Sequence, residues 1–184
     1  MEKINHFIKE AHNSKPNSPI NNKLKNLAKH ITQYNLYIKS LTKSQTNTLY
    51  ESLFILKMFD NYQELKDAIF LILIVFRKQK YFVSTHEESL EEIFNMNNTI
   101  EYVWSAQTNS YYKYNYDVMC IDVLSPDSLN RVPLILILKI LSVVLDISIN
   151  IYTESTNIYV KNNDNNIVSL GMCGFNLFVP LDKI

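Results

Sequence analysis

The sequence predicts an α+β fold in which helices pack on a small, mostly antiparallel sheet. Apolar residues recur at helical spacing through the first three quarters of the chain, ending in the strongly apolar segment "VPLILILKILSVVLD". The pattern then alternates in "ISINIYT", "NIYVKN", "NIVSLG" and "FNLFVPL", which are bounded by Asn, Asp, Ser or Gly. A helix-rich front followed by a run of short strands is typical of this class.

Composition narrows the function classes. The 184 residues carry no formal net charge, so no overall field draws the chain to nucleic acid or to a membrane surface. Only two cysteines occur, and the most apolar stretch, "AIFLILIVF", is too short to span a bilayer. The N-terminus also lacks a signal-peptide core. These features favour a cytoplasmic protein that binds neither membrane nor nucleic acid.

No pattern for a metal or a cofactor stands out. The sequence has no H-x-x-x-H or C-x-x-C spacing, and its two glycines do not form a phosphate-binding loop. We therefore expect no metal site and no cofactor.

Residues 1–42 are predicted to form a basic helical extension to a domain of residues 43–184. Ser18 and Pro19 have the composition of a helix start, and the helix is expected to reach about Leu41. One face of this helix is apolar, and its members are Leu24, Leu27, Ile31 and Ile38. Two interpretations follow: the face packs on the main domain, or it contacts a protein partner or a second copy of the chain.

Further elements are predicted along the chain. Two helices apolar all round are expected over 48–59 and 64–79, and a third is expected over 86–96 behind a capping box of Thr85 and Glu88. Residues 99–114 are predicted to be helical, Pro133 to begin the central helix, and "KNNDNN" to form a hairpin turn.

The segment "SQTNTLYESL", residues 44–53, resembles a motif of the ovarian tumour (OTU) family of cysteine deubiquitinases, G-D-G-N-C-L-Y-R-A-L. The match includes Asn47, Leu49, Tyr50 and Leu53. "LILKILSVVLDISINIY" is similar to a later helix and strand of that family, and "GFNLFVPL" resembles its histidine-bearing last strand. The resemblance implies a papain-like OTU fold over roughly residues 43–184.

The same alignment places unsuitable residues at the catalytic positions. Thr48 stands at the nucleophile, Asn176 at the base and Gln45 at the motif aspartate. A hydroxyl ionises far less readily than a thiol, and a carboxamide does not accept a proton at physiological pH. We therefore expect a pseudoenzyme, with Thr48 reduced to an N-cap.

The function expected from this resemblance is protein binding without catalysis. Ubiquitin or a ubiquitin-like modifier is the first candidate partner, and the expected channel is formed by Gln45, Asn47, Thr48, Phe175, Asn176, Leu177 and Phe178. One alternative is an OTU scaffold reused for other protein contacts or self-assembly through the N-terminal helix. A lesser alternative is an active deubiquitinase that uses Cys120 or Cys173 as its nucleophile.

Overall fold

The computed structural model describes residues 19–42, 48–80, 82, 87–105, 108–125, 131–174 and 177–184. The helices of this part of the chain are α1 (Pro19–Thr32), α2 (Thr48–Ile55), α3 (Tyr62–Val75), α4 (Leu90–Asn97), α5 (Tyr116–Asp122) and α6 (Leu134–Val144). Its strands are β1 (Leu36–Ile38), β2 (Tyr102–Ser105), β3 (Ser110–Lys113), β4 (Ser148–Tyr152), β5 (Asn157–Val160), β6 (Ile167–Cys173) and β7 (Leu177–Lys183). The α+β class is confirmed.

The strands form two sheets. The larger has the order β1-β7-β6-β4-β5, and β7 lies antiparallel to both of its neighbours. The smaller is the antiparallel pair β2 and β3. The contacts between residues divide the chain into two compact units. The first comprises the residues up to Met58 together with Ile149–Tyr159 and Val168–Ile184. The second comprises Phe59–Ser148 and Val160–Ile167.

In the first unit, α1 covers one side of the sheet. The side chains of Leu24, Leu27 and Ile31 recur at helical spacing and are buried together with residues of β1, β4, β6 and β7. Helix α2 also packs against β7. The boundary expected near residue 42 stays a prediction, but α1 and β1 are integral to this unit's packing.

In the second unit, α6 is the most deeply buried helix. Every residue from Leu136 to Ser142 is buried, and the helix contacts both α3 and α4. This confirms the expectation of a central helix that begins after Pro133. Seven consecutive buried positions include every face of a helix, so this stretch of α6 is covered on all sides.

Three local predictions were wrong. The basic helix ends at Thr32, because Asn35 adopts a left-handed conformation (φ 57°) and the chain continues as β1 rather than as helix to Leu41. Tyr102–Ser105 and Ser110–Lys113 form the antiparallel strands β2 and β3, where a helix was predicted. The "KNNDNN" segment does not close a hairpin, since β5 and β6 are not neighbours in the sheet.

The capping box also lies elsewhere. The N-cap of α4 is Ser89, whose hydroxyl accepts from the Glu92 amide while the Glu92 carboxylate accepts from the Ser89 amide. The predicted Thr85 lies outside the described residues. The Ser-x-x-Glu pattern of Ser89 and Glu92 lies four residues downstream of the predicted pair, Thr85 and Glu88.

Candidate functional site

The beginning of α2 lies against the beginning of β7, so the structure brings two of the segments that resemble OTU motifs together. Thr48 is the first residue of α2, and its Oγ1 accepts a hydrogen bond from the Phe178 amide at 2.9 Å. The side chain is 1% exposed. Thr48 therefore ties the helix to the strand, and as a helical residue it does not occupy the N-cap position that we predicted.

A second threonine contacts the same peptide unit. Thr42 Oγ1 donates to the Phe178 carbonyl at 3.4 Å, so Thr42 and Thr48 hold both polar backbone groups of Phe178. We call these three residues the Phe178 clasp. It is needed because β1 pairs with β7 only from Leu181 to Lys183, and the amide and carbonyl of Phe178 lie beyond that pairing.

Four of the predicted channel residues lie outside the described part of the chain: Gln45, Asn47, Phe175 and Asn176. The other three are Thr48, Leu177 and Phe178. Successive strand residues point to opposite faces. Leu177 is half-buried and packs on the core beneath α1, whereas Phe178 is buried on the opposite face of β7.

Two polar groups inside α2 lack a hydrogen-bond partner among the described residues. They are the Tyr50 hydroxyl and Ser52 Oγ, and both side chains are buried. Burial raises the pKa of Tyr50 above its usual range because the phenolate would lose its hydration. Neither group offers a base to Thr48, since a neutral hydroxyl does not remove a proton from another hydroxyl at neutral pH.

The two cysteines considered as alternative nucleophiles are buried. Cys120 lies on α5 in the second unit and Cys173 ends β6 in the first. Burial is the main cause that raises the pKa of each thiol to about 12. Both are therefore protonated at neutral pH, whereas a catalytic cysteine reacts as the thiolate.

The described histidine is His30. Its Nδ1 lies 3.0 Å from the Gln33 side-chain amide, and its Nε2 lies 3.4 Å from Asn157 Oδ1. The ring also packs edge-on against Tyr34. These contacts place His30 in a polar surface cluster of the first unit, and within the described residues neither thiol is among its hydrogen-bond partners.

The residues expected to form a helical contact are all buried. Leu24 and Ile38 are each 9% exposed, and Leu27 and Ile31 are almost fully covered by the sheet of the first unit. Of the two sequence interpretations, this arrangement corresponds to packing of the helix on its own domain.

No sequence pattern indicated the role of Thr42. Threonine is common in loops, and Thr42 gains its role only because β1 ends before the first residues of β7. No group of three or more His, Cys, Asp or Glu is arranged to hold a metal within the described ranges. In the same ranges, no helix is long and apolar enough to cross a membrane.

No protein-family model matches this sequence, and no curated protein is significantly similar to it.

Proposed function

We propose that this protein is a catalytically inactive OTU-like domain that acts by binding a protein partner, with ubiquitin or a ubiquitin-like modifier as the first candidate. The observation that carries the proposal is the 2.9 Å hydrogen bond from the Phe178 amide to Thr48 Oγ1. It joins the segment that resembles the OTU nucleophile motif to the strand that resembles the histidine-bearing strand.

The chemistry of this contact supports the absence of catalysis. Thr48 is buried, and one of its oxygen lone pairs is already directed at an amide. A hydroxyl nucleophile needs an adjacent base and access to the carbonyl it attacks. The two buried thiols, with pKa values of about 12, do not supply a replacement.

Binding does not require a nucleophile, because an extended peptide is held mainly by backbone hydrogen bonds and by side-chain pockets. Leu177 is the described channel residue that is only partly buried. The rival proposal, in which α1 contacts a partner through Leu24, Leu27, Ile31 and Ile38, would require these side chains to leave the core. We therefore favour the region around the Phe178 clasp.

The test is an NMR titration of ¹⁵N-labelled ubiquitin with the full chain, combined with a ubiquitin probe that carries a C-terminal electrophile. We expect saturable shifts in the ubiquitin spectrum and no covalent adduct. Leu177→Gln should weaken binding, whereas Ile184→Gln, at an exposed position just beyond the other end of β7, should not. Thermal melts of both variants control for folding.

Two results would contradict the proposal. An unchanged ubiquitin spectrum at submillimolar protein would remove ubiquitin as the partner. A covalent adduct would show an active nucleophile, and mass mapping would then identify the residue that carries it.

A further inference from the structure

Strands β2 and β3 present a row of aromatic side chains to solvent. The antiparallel pairing places Tyr102 opposite Lys113 and Trp104 opposite Tyr111, and these four side chains lie on one face of the pair. Tyr102 is 55%, Trp104 50% and Tyr111 71% exposed, and Lys113 is exposed as well. We call these four residues the aromatic face. Three large rings left open to water side by side are unusual and indicate a contact surface.

The opposite face of the same strands is held to the second unit by Tyr114. The Tyr114 amide donates to the Glu101 carbonyl at 2.8 Å, which continues the register of β2 and β3 by one residue. The Tyr114 side chain is buried, packs against Phe94 and donates its hydroxyl to Asp122 at 3.3 Å. Because side chains alternate along a strand, this anchor directs the aromatic face away from the unit.

Two rings of the aromatic face stand at an angle to each other. The ring centroids of Trp104 and Tyr111 are 5.0 Å apart, and the two ring planes meet at 62°. A flat nucleobase stacks on a ring face that lies parallel to its own plane. A compact, puckered ring fits the angle between two tilted aromatic rings, and proline-rich segments dock in such aromatic-lined grooves.

The polar atoms of the aromatic face are mainly hydrogen-bond donors. The indole N–H of Trp104 and the ammonium group of Lys113 donate without accepting, and the two tyrosine hydroxyls can also donate. A polyproline II segment is the complementary peptide, because proline has no backbone N–H and its carbonyls are free to accept. A sugar is matched less well, since each of its hydroxyls donates as well as accepts.

The charge of the second unit argues against a nucleic acid at this face. Residues 59–148 and 160–167 contain eight basic and thirteen acidic side chains, so the unit is acidic overall. A phosphate backbone would be repelled by this excess of carboxylates. A proline-rich segment needs no net charge of its own and is not repelled.

We propose that the aromatic face binds a proline-rich segment of a partner protein in the polyproline II conformation. A proline ring occupies the angle between Trp104 and Tyr111, and Lys113 donates to a carbonyl further along the segment. Such a segment is already extended and stiff before it binds, so binding costs it little conformational entropy. The site belongs to the second unit, whereas the Phe178 clasp belongs to the first.

The test uses the fluorescence of Trp104, which is the one tryptophan of the sequence. The full chain is titrated with a proline decamer, and a glycine–serine decamer is the control peptide. We expect a saturable change with a dissociation constant below about 1 mM for the proline peptide, and no change for the control. An unchanged spectrum at several millimolar proline peptide would overturn the proposal. Tighter binding of a thymidine oligonucleotide or of maltohexaose would also overturn it.

Two alanine variants at adjacent positions test which face binds. Tyr111→Ala should raise the dissociation constant at least about tenfold, because one side of the angle between the rings is lost. Tyr112→Ala is the matched control, since Tyr112 is 42% exposed on the same strand but lies on the opposite face. It should leave the dissociation constant unchanged, and thermal melts of both variants control for folding. Full affinity of Tyr111→Ala, or an equal loss in the two variants, would contradict binding at the aromatic face.

Discussion

The hydroxyl of Thr48 joins two segments that are 130 residues apart in the sequence. Its acceptor role satisfies a buried amide that the sheet does not pair at that position. A buried amide without a partner costs more free energy than a formed hydrogen bond contributes. The residue that occupies the nucleophile position in the alignment therefore has a definite stabilising role.

Replacing Thr48 by valine should reduce the free energy of unfolding by about 1–3 kcal/mol, because valine has nearly the same shape and leaves the Phe178 amide unpaired. Thr48→Ser keeps the hydroxyl and should lose less. Urea denaturation of the three proteins measures the difference. Equal stability of the valine variant and the original chain would contradict the structural role of the clasp.

Lys139 is the charged residue in the middle of helix α6, and it is buried. Burial lowers its pKa, while the charge of Glu88 acts in the opposite direction. The unfolded chain therefore binds the Lys139 proton more tightly than the folded chain does. By linkage, this residue's contribution to stability rises with pH through the alkaline range below the unfolded pKa.

We expect Lys139→Met to stabilise the protein at neutral pH by about 1 kcal/mol, since an apolar chain of similar size avoids the cost of burying an ammonium group. The increase in the free energy of unfolding with alkaline pH that Lys139 contributes should also disappear. Urea titrations at several pH values measure both effects. Lys29→Met, at an exposed position on α1, is the control and should change neither.

Among the elements, α1 lies unusually close to the sheet at Gly171. A Cβ added at this position would lie 2.6 Å from Leu27 Cδ2 and 2.8 Å from Val179 Cγ2. The glycine thus permits the close packing of α1 on β6 and β7. Gly171 lies within strand β6, where its backbone conformation is open to any residue, so glycine is needed here because it has no side chain.

Gly171→Ala should destabilise the protein by about 1–3 kcal/mol through overpacking. Leu27→Ala should destabilise it through the cavity that it leaves. The double variant should lose less than the sum of the two, because the new methyl group enters the space left by Leu27. Additive losses, measured by thermal or urea unfolding, would argue against a clash between these residues.

Element type was predicted well where the pattern was long and regular. Helix α6 and strands β4 to β7 were expected close to their observed places, because each shows a clear helical or alternating period. The β2–β3 hairpin was missed: its strands have only four residues each, and exposed tyrosines gave it no buried side. The asparagine at position 109 was the sequence signal of a turn, and in the structure it adopts a φ of 50°.

For the whole molecule, the two thiols report separately on the two units. Cys173 belongs to the first unit and Cys120 to the second, and both are buried with pKa values of about 12. Alkylation therefore requires that the surrounding structure opens.

We expect iodoacetamide at about pH 8 to modify neither thiol at an appreciable rate in the native protein, and both in urea. Mass spectrometry measures the fraction of each cysteine that is alkylated at increasing urea concentration. These two fractions report the opening of the two units independently. Rapid native labelling of either cysteine would contradict its burial, and it would also restore that residue as a candidate nucleophile.

The local pattern of apolar residues was enough to predict the α+β class, the amphipathic character of α1, the central position of α6 and the places of the last four strands along the chain. These features depend on the local period of apolar residues, which a sequence displays directly. The period says which side chains avoid water, but it does not say what covers them.

The contacts between distant segments could not be predicted from the sequence. The apolar face of α1 is covered by the sheet, one of the two interpretations that its sequence left open. The outer apolar residues of α3 stay exposed, although the sequence of this helix is apolar all round. Likewise, Thr42 and Thr48 meet Phe178 because β1 ends before the start of β7. The physical reason is that backbone groups and apolar faces are satisfied by whichever segment the folded chain brings next to them.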